Sequence, residues 1–448
     1  MPDFDFVAIG GGNTGLAAAY RIAGAGKRVA LVDRGPVGGL CSLAGCNPKK
    51  VLVRATEVLD EVRRSGEHGI DAPVQRVDWP KVIARKRTFT EPVPEQTEAA
   101  LSKAGVERIH GIARFVSAEA LRVDGRELSS SGFLIATGST PRPLNFPGGN
   151  LAKTTSDILE LENPPASLVI IGAGVVAFEF GQVFARLGSS VSVLMPSDRA
   201  LRGADEDLVD ALVMHSMRLG MKFFPHTGVK RIVPVEGRLS VEAETSGKAR
   251  TWTSDFVLNA AGRVPNLESL DLSAAGVAFD KKGVVVDSYL RSPGNRRIFA
   301  GGDAHGKRQL SPVASYEGRI VAKNFLEGDV EAVSYESIPQ AVYTVPPLAW
   351  VGVTEAKARE KGLEVIAPLY DKEKWKVFAI AGERPARCKV IVEESSRRIV
   401  GAHLLGVAAA EIINLYAMAM RFGLTTADLE KMVWAYPTFT SVLDSTWK

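Results

Sequence analysis

At 448 residues the chain is long enough for about two to four domains with separate cores. It is 46% hydrophobic and 24% charged, and its net charge of +4, without dense Lys/Arg clustering, excludes a nucleic-acid binder. No apolar run can span a bilayer, since the best, 168–187, contains Glu179 and Arg186; three cysteines are too few for a disulfide framework, and no basic leader opens the chain, so no signal peptide and a reducing cytoplasm are expected.

In chain order, Phe4–Ile9 is a short apolar run that reads as a buried parallel strand. Gly10-Gly11-Gly12-Asn13-Thr14-Gly15 follows, then a helical pattern through Leu16, Ala19, Ile22 and Ala23, then a strand at 29–32 closed by Asp33. This is a βαβ unit. Gly10, Gly12 and Gly15 permit the tight turn, the approach of backbone to a pyrophosphate and close helix–strand packing, and Asp33 sits where an acid binds a ribose 2′-OH.

Cys41 and Cys46 come next, within Gly38-Gly39-Leu40-Cys41-Ser42-Leu43-Ala44-Gly45-Cys46-Asn47-Pro48-Lys49-Lys50. Residues five apart on a regular helix lie about 140° apart around the axis, so the pair meets only across a bent first turn, for which Gly38, Gly39 and Gly45 provide backbone freedom. Cys46 with Pro48 suits a helix start, whose dipole favours a thiolate. A redox-active dithiol is the reading; two buried thiols are the plain alternative.

Residues 133–138 end a strand at a turn, and Pro164-Pro165 marks a boundary. The βαβ grammar then returns: Ser167–Ile171, Gly172-Ala173-Gly174 opening a helix, and a strand at 191–194. Two such units imply two dinucleotides. Met195 stands where an acid would favour NAD, and Ser197, Arg199 and Arg202 lie just beyond, so NADP(H) is favoured over NAD(H). Further strand ends fall at 256–262 and 298–303, the latter with Asp303 at its tip. After residue 335, strands at 389–392 and 399–405 and helices at 409–422 and 427–432 predict a closing α+β domain. His305 reads as a solvated loop histidine, His403 as a structural strand residue and Cys388 as a small buried hydrophobe.

The segment Gly-Gly-x-Cys-x-x-x-x-Gly-Cys-x-Pro-x-Lys resembles the flavin disulfide oxidoreductases: glutathione reductase, dihydrolipoamide dehydrogenase and mercuric reductase. So do Gly10 to Gly15, Ala136-Thr137-Gly138, Gly172 to Glu179, Ala261-Gly262-Arg263-Val264-Pro265-Asn266, Gly302-Asp303, and Pro346-Pro347 with Val351-Gly352. The resemblance implies an α/β architecture of two Rossmann-like dinucleotide-binding domains plus a C-terminal α+β dimerisation domain. FAD would be bound by 1–145 and 265–332, NAD(P)H by 146–264, and the homodimer interface formed by 335–448. It further implies that Cys46 touches the flavin, Cys41 exchanges with substrate, Lys49 pairs with Glu179 near the flavin's reactive edge, and Asp303 holds the ribityl or pyrophosphate region. Lys50, Thr137, Gly138, Gly172, Gly174 and Gly262 would contribute to the cofactor sites. Electrons would then run from NAD(P)H through FAD to a Cys41–Cys46 disulfide, and from the Cys41 thiolate to the acceptor.

The family's C-terminal signature is His-Pro-Thr-x-x-Glu. Here Tyr436 replaces the histidine and Ser441 the glutamate. A phenol with an ordinary pKa of about 10 is a poor base at neutral pH, although it donates a proton or hydrogen bond. Tyr20, Thr97 and Val175 stand where glutathione reductases carry substrate- and nicotinamide-contacting residues, and the C-terminal cysteine pair of mercuric reductase is missing. The expectation is an enzyme with a working dithiol whose acceptor is a small disulfide, a quinone or a metal ion rather than glutathione. Two alternatives stand beside it: a dithiol-independent diaphorase, and a redox-sensing or partner-binding protein with little turnover.

Overall fold

The computed structural model describes residues 1–73, 76–371, 375–382 and 385–447. The chain divides into two compact units, one of residues 1–51, 83–142 and 262–334, the other of 52–82, 143–261 and 335–448.

The first unit is built on a seven-stranded sheet in the order Val106–His110, Val29–Asp33, Phe4–Ile9, Arg126–Ile135, Ala120–Val123, Ala113–Phe115, with Ile298–Ala300 also pairing with Arg126–Ile135. The pairings are parallel from Val106–His110 through to Ile298–Ala300, and an antiparallel meander continues from Ala113–Phe115. Alternation along Phe4–Ile9 sends Phe6 and Ala8 into a core with Ala18, Ile22 and Phe299, while Val7 and Ile9 enter a second core with Phe115 and Phe133. A sheet buried on both faces needs such an apolar run. Helices Asn13–Gly24 and Ser311–Glu327 pack together on the Phe6 face.

The second unit holds a four-stranded parallel sheet in the order Lys222–Phe224, Ser190–Leu194, Ser167–Ile171, Phe256–Asn259, with helices Val175–Arg186 and Glu206–Arg218 in its crossovers. An antiparallel sheet of Thr227–Val235, Arg238–Thr245 and Lys248–Ser254 follows. Last comes an antiparallel sheet in which Arg387–Glu393 pairs with Ile399–Leu405, with Val390 opposite Ala402. The expected architecture, two parallel dinucleotide-type sheets and a closing α+β region, is what the chain adopts. The helix at 409–422 is Ala409–Arg421. The one expected at 427–432 is only Thr426–Leu429: a capping box of Thr425 and Asp428 opens it, and the chain leaves the helix one turn later.

Three side chains of helix Val175–Arg186, spaced to lie on one face, grip a single extended segment. Glu179 Oε1 accepts from the Tyr343 N–H (2.7 Å), Gln182 Oε1 from the Val345 N–H (2.9 Å), and Arg186 Nη2 donates to the Val345 carbonyl (2.6 Å). Nearby, Lys389 lies buried among Asp205, Asp207 and Glu355. Burial works against its charge, but hydrogen bonds to the three carboxylates outweigh it and raise its pKa.

Candidate active site

Cys41 lies in the short helix Gly39–Leu43, and Cys46 starts the helix Cys46–Arg64. Both are thiols, and the Cys46 side chain hydrogen-bonds Cys41. The required bend falls at 44–45, between the two helices. Gly39 has φ +72°, and a Cβ there would sit 2.6 Å from the Gly12 Cα, so the absence of side chains at both positions lets the dithiol helix rest on the nucleotide turn.

The pKa of Cys41 is lowered to about 6. The hydrogen bond from the Cys46 thiol contributes most and burial opposes it; the Ser311 hydroxyl, the Cys46 backbone N–H and the Lys49 charge complete the stabilisation. Ser311 opens helix Ser311–Glu327 and is itself fixed by Asn13, whose Nδ2 donates to the Ser311 hydroxyl and carbonyl. Sequence reading passed over Ser311, although Ser311-Pro312 is a legible helix start.

Gly10 and Gly12 form the turn after Phe4–Ile9, and Gly15 lies in the first turn of Asn13–Gly24. A Cβ on Gly15 would meet the Gly10 carbonyl oxygen at 1.9 Å, which sets the closeness of strand and helix. Asp33 accepts from the Gly11 N–H (2.5 Å) and the Gly35 N–H (2.8 Å) at the strand end. A cleft of about 80 Å³ is lined by Gly10, Asp33, Arg34, Thr137 and Asn266 among others. Thr137 Oγ1 is buried there without a hydrogen-bond partner among the described residues. Gly138 accepts from the Asn266 N–H (3.0 Å) and Gly262 from the Arg142 N–H (2.9 Å). Lys50 follows Lys49 in the first turns of Cys46–Arg64.

Asp303 lies in the turn Gly302–His305. Its carboxylate accepts from the Ser139 hydroxyl (2.5 Å), which in turn accepts from Arg263 Nε (2.8 Å), and burial raises the Asp303 pKa. His305 is not the solvated loop residue expected from the sequence. It is buried, with Nε2 3.0 Å from Oε1 of the fully buried Glu317, whose Oε2 accepts from the Gly302 N–H (2.5 Å). Position in a loop did not predict exposure because Glu317, twelve residues on, reaches back from its helix to claim the ring.

In the second unit, Gly172 and Gly174 form the turn between Ser167–Ile171 and Val175–Arg186, and the space a Cβ on Gly174 would occupy is open. Glu179 is buried in the second turn of that helix. Arg199 forms an ion pair with Glu206, and Arg202 is exposed. Tyr436 is 77% exposed. Thr438 accepts from the Ser441 N–H (3.1 Å) and caps the closing turn Phe439–Ser445, so Ser441 is occupied locally. His403 is buried, accepting from the Asp205 N–H (3.1 Å) and donating to the Val353 carbonyl (3.0 Å), and Cys388 is buried in its strand; both fit the structural roles expected of them.

Residues 4–318 match the pyridine nucleotide-disulphide oxidoreductase family, and residues 338–446 match its dimerisation domain. The chain is 31% identical to a mercuric reductase of Bacillus cereus over 440 residues, covering 97% of this chain and 70% of that protein. It is 32% identical to a dihydrolipoyl dehydrogenase of Bacillus subtilis (strain 168) and to a glutathione reductase of Burkholderia cepacia, with 97% of this chain and 96% of each relative covered. Among solved structures it is similar to the HOCl-induced flavoprotein disulfide reductase RclA from Escherichia coli, with TM-score 0.88, 28% identity and 98% of both chains covered. It is also similar to a Cu(II) complex of RclA, with TM-score 0.90, 27% identity, and 100% of this chain and 99% of that one covered. The chain belongs to the pyridine nucleotide-disulphide oxidoreductase family. It is an oxidoreductase of that class, FAD-dependent and served by a pyridine nucleotide. The close Gly10–Gly15 packing, the cleft beside Asp33 and the unsatisfied Thr137 hydroxyl fit a bound dinucleotide.

Proposed function

We propose that the enzyme reduces a small acceptor other than glutathione, with Cys41 as the exchanging thiolate and Cys46 as its redox partner. The observation that carries this reading is the lowered pKa of Cys41, produced by Cys46, Ser311 and Lys49 without a histidine. In this reading residues 1–145 and 265–332 hold FAD through Gly10, Gly12, Gly15, Asp33, Lys50, Thr137, Gly138, Gly262 and Asp303. Residues 146–264 take NAD(P)H at Gly172 and Gly174, with Glu179 as the buried acid of that helix. Arg199 and Arg202 favour NADP(H) over NAD(H).

The chemistry supplied by bound FAD is hydride acceptance and two-electron transfer. One hydride from NAD(P)H carries two electrons and a proton, enough to open the Cys41–Cys46 disulfide into a Cys41 thiolate and a Cys46 thiol. The thiolate attacks one sulfur of a disulfide acceptor and displaces the other as a thiolate, which takes the Cys46 proton. Cys46 then attacks the Cys41 sulfur, restoring the internal disulfide and releasing the second product thiolate to be protonated by solvent. Tyr436, supplied by the second copy of a homodimer, hydrogen-bonds the leaving group. The homodimer is supported by exposed Met418, Phe422, Met432, Val433 and Tyr436, all within the segment matched to the dimerisation domain.

A metal-ion acceptor is the second reading. It is favoured by the similarity to mercuric reductases and to a structure described as a Cu(II) complex, together with a soft thiolate at neutral pH. Anaerobic titration of Cys41→Ser with NAD(P)H, followed by an acceptor panel, tests both. Flavin reduction should persist while turnover with disulfides and metal ions is lost; unchanged turnover would remove the dithiol from the pathway and leave a diaphorase.

A further inference from the structure

The segment following strand Ser190–Leu194 is strung between two fixed points. At one end the His226 N–H donates to the Ser197 carbonyl (3.4 Å) and the Thr227 N–H to Met195 (2.7 Å). At the other, the Leu201 N–H donates to the Ala173 carbonyl (3.2 Å), inside the Gly172–Gly174 turn itself. Leu201 has φ +41°, in the left-handed region that a leucine rarely adopts, so the segment is held to the turn despite local backbone cost. Arg199 and Arg202 flank Leu201 and are thereby kept beside the second nucleotide turn. Arg199 is already engaged: its guanidinium pairs with Glu206, the first residue of helix Glu206–Arg218. Asp205 caps that helix, and both Asp205 and Asp207 pair with Lys389, so Glu206 is the acid of this helix start that meets the segment.

We infer that Glu206 is a specificity-determining residue: its carboxylate occupies Arg199 in the free enzyme and competes with the 2′-phosphate of NADP(H). The inference rests on the proposed role of Arg199 and Arg202 in 2′-phosphate binding, and adds that Glu206 weakens that preference. A carboxylate and a phosphate dianion seek the same guanidinium face, so one leaves when the other binds. The ion pair is solvent-exposed, with side-chain accessibilities of 37% and 56%, so its hold is modest and a phosphate displaces it. The enzyme therefore accepts both dinucleotides with a narrow margin, and Glu206 sets that margin. NAD(H), which lacks the phosphate, leaves the Arg199–Glu206 pair intact.

The test is calorimetric titration of the FAD-bound enzyme with 2′,5′-ADP and 5′-AMP at low ionic strength. Glu206→Gln should bind 2′,5′-ADP about two- to fivefold more tightly, the fold-change matching an exposed ion pair, with 5′-AMP affinity unchanged. Arg199→Gln should weaken 2′,5′-ADP alone. If Glu206→Gln leaves 2′,5′-ADP affinity unchanged while Arg199→Gln weakens it, the competition is overturned and the 2′-phosphate assignment stands. If neither Arg199→Gln nor Arg202→Gln affects 2′,5′-ADP, the assignment itself fails and the competition with it. Equal tightening of both ligands by Glu206→Gln would point to a general field at the turn and also overturns the inference.

Discussion

Cys41 sits at the centre of a small group of donors: a thiol, a hydroxyl, a helix-start N–H and an ammonium. A histidine base in this position would titrate between pH 5 and 8 and carry the thiolate with it. Here the groups that lower the Cys41 pKa are the Cys46 thiol and backbone N–H, the Ser311 hydroxyl and Lys49, with no histidine among them. A lowered thiol pKa means that the thiolate dominates above about 6 and is lost as pH falls through that value. Alkylation of the reduced enzyme by iodoacetamide should therefore rise with a midpoint near 6 and level off above it. Ser311→Ala removes one hydrogen bond to the charged form. At about 1.5–3 kcal/mol for such a bond, the midpoint should move up by about one to two pH units. A midpoint that stays near 6 in Ser311→Ala would remove Ser311 from the account.

Helix Val175–Arg186 and the Lys389 group show how individual elements of the second unit are pinned. Lys389 has three carboxylates around it and a side chain only 6% exposed. Lys389→Met should destabilise the holoenzyme by about 3 kcal/mol, because it leaves a buried Asp205 without its cation; an unfolding free energy from urea titration lowered by less than about 0.5 kcal/mol would contradict this. These pins are also where sequence reading ran out. The parallel strands were legible because uninterrupted apolar runs such as Phe4–Ile9 bounded by glycine turns have few other uses. The closeness of Cys41 and Cys46 was legible because both lie in one short segment. Ser311, Glu317 and Lys389 were not, since each acts on a residue remote in sequence: Ser311 on Cys41, Glu317 on Gly302 and His305, Lys389 on Asp205. No local periodicity records such pairings. The short helix Thr426–Leu429 was overextended for the related reason that its capping box marks where a helix begins and says little about where it ends.

Across the whole molecule, the exposed apolar side chains of the last domain are the feature that calls for a second copy. Phe422 is 75% exposed and Val433 95% exposed. Placing a charge there, as in Phe422→Glu with Val433→Glu, should weaken self-association by about thirtyfold or more, as read by sedimentation at micromolar concentration. Unaltered sedimentation would show that the homodimer forms elsewhere. Such a variant should lose turnover while its alkylation midpoint stays near 6, since Cys46, Ser311 and Lys49 lie in the same chain as Cys41. That separation has a consequence for how the enzyme behaves when dilute. Under the proposed role of Tyr436 across a homodimer, a lone subunit would still take up two electrons but would lack the neighbouring phenol that helps to discharge them. Reducing power would then accumulate in single subunits and be spent when they meet, so that concentration itself becomes a throttle on the outgoing half of the cycle.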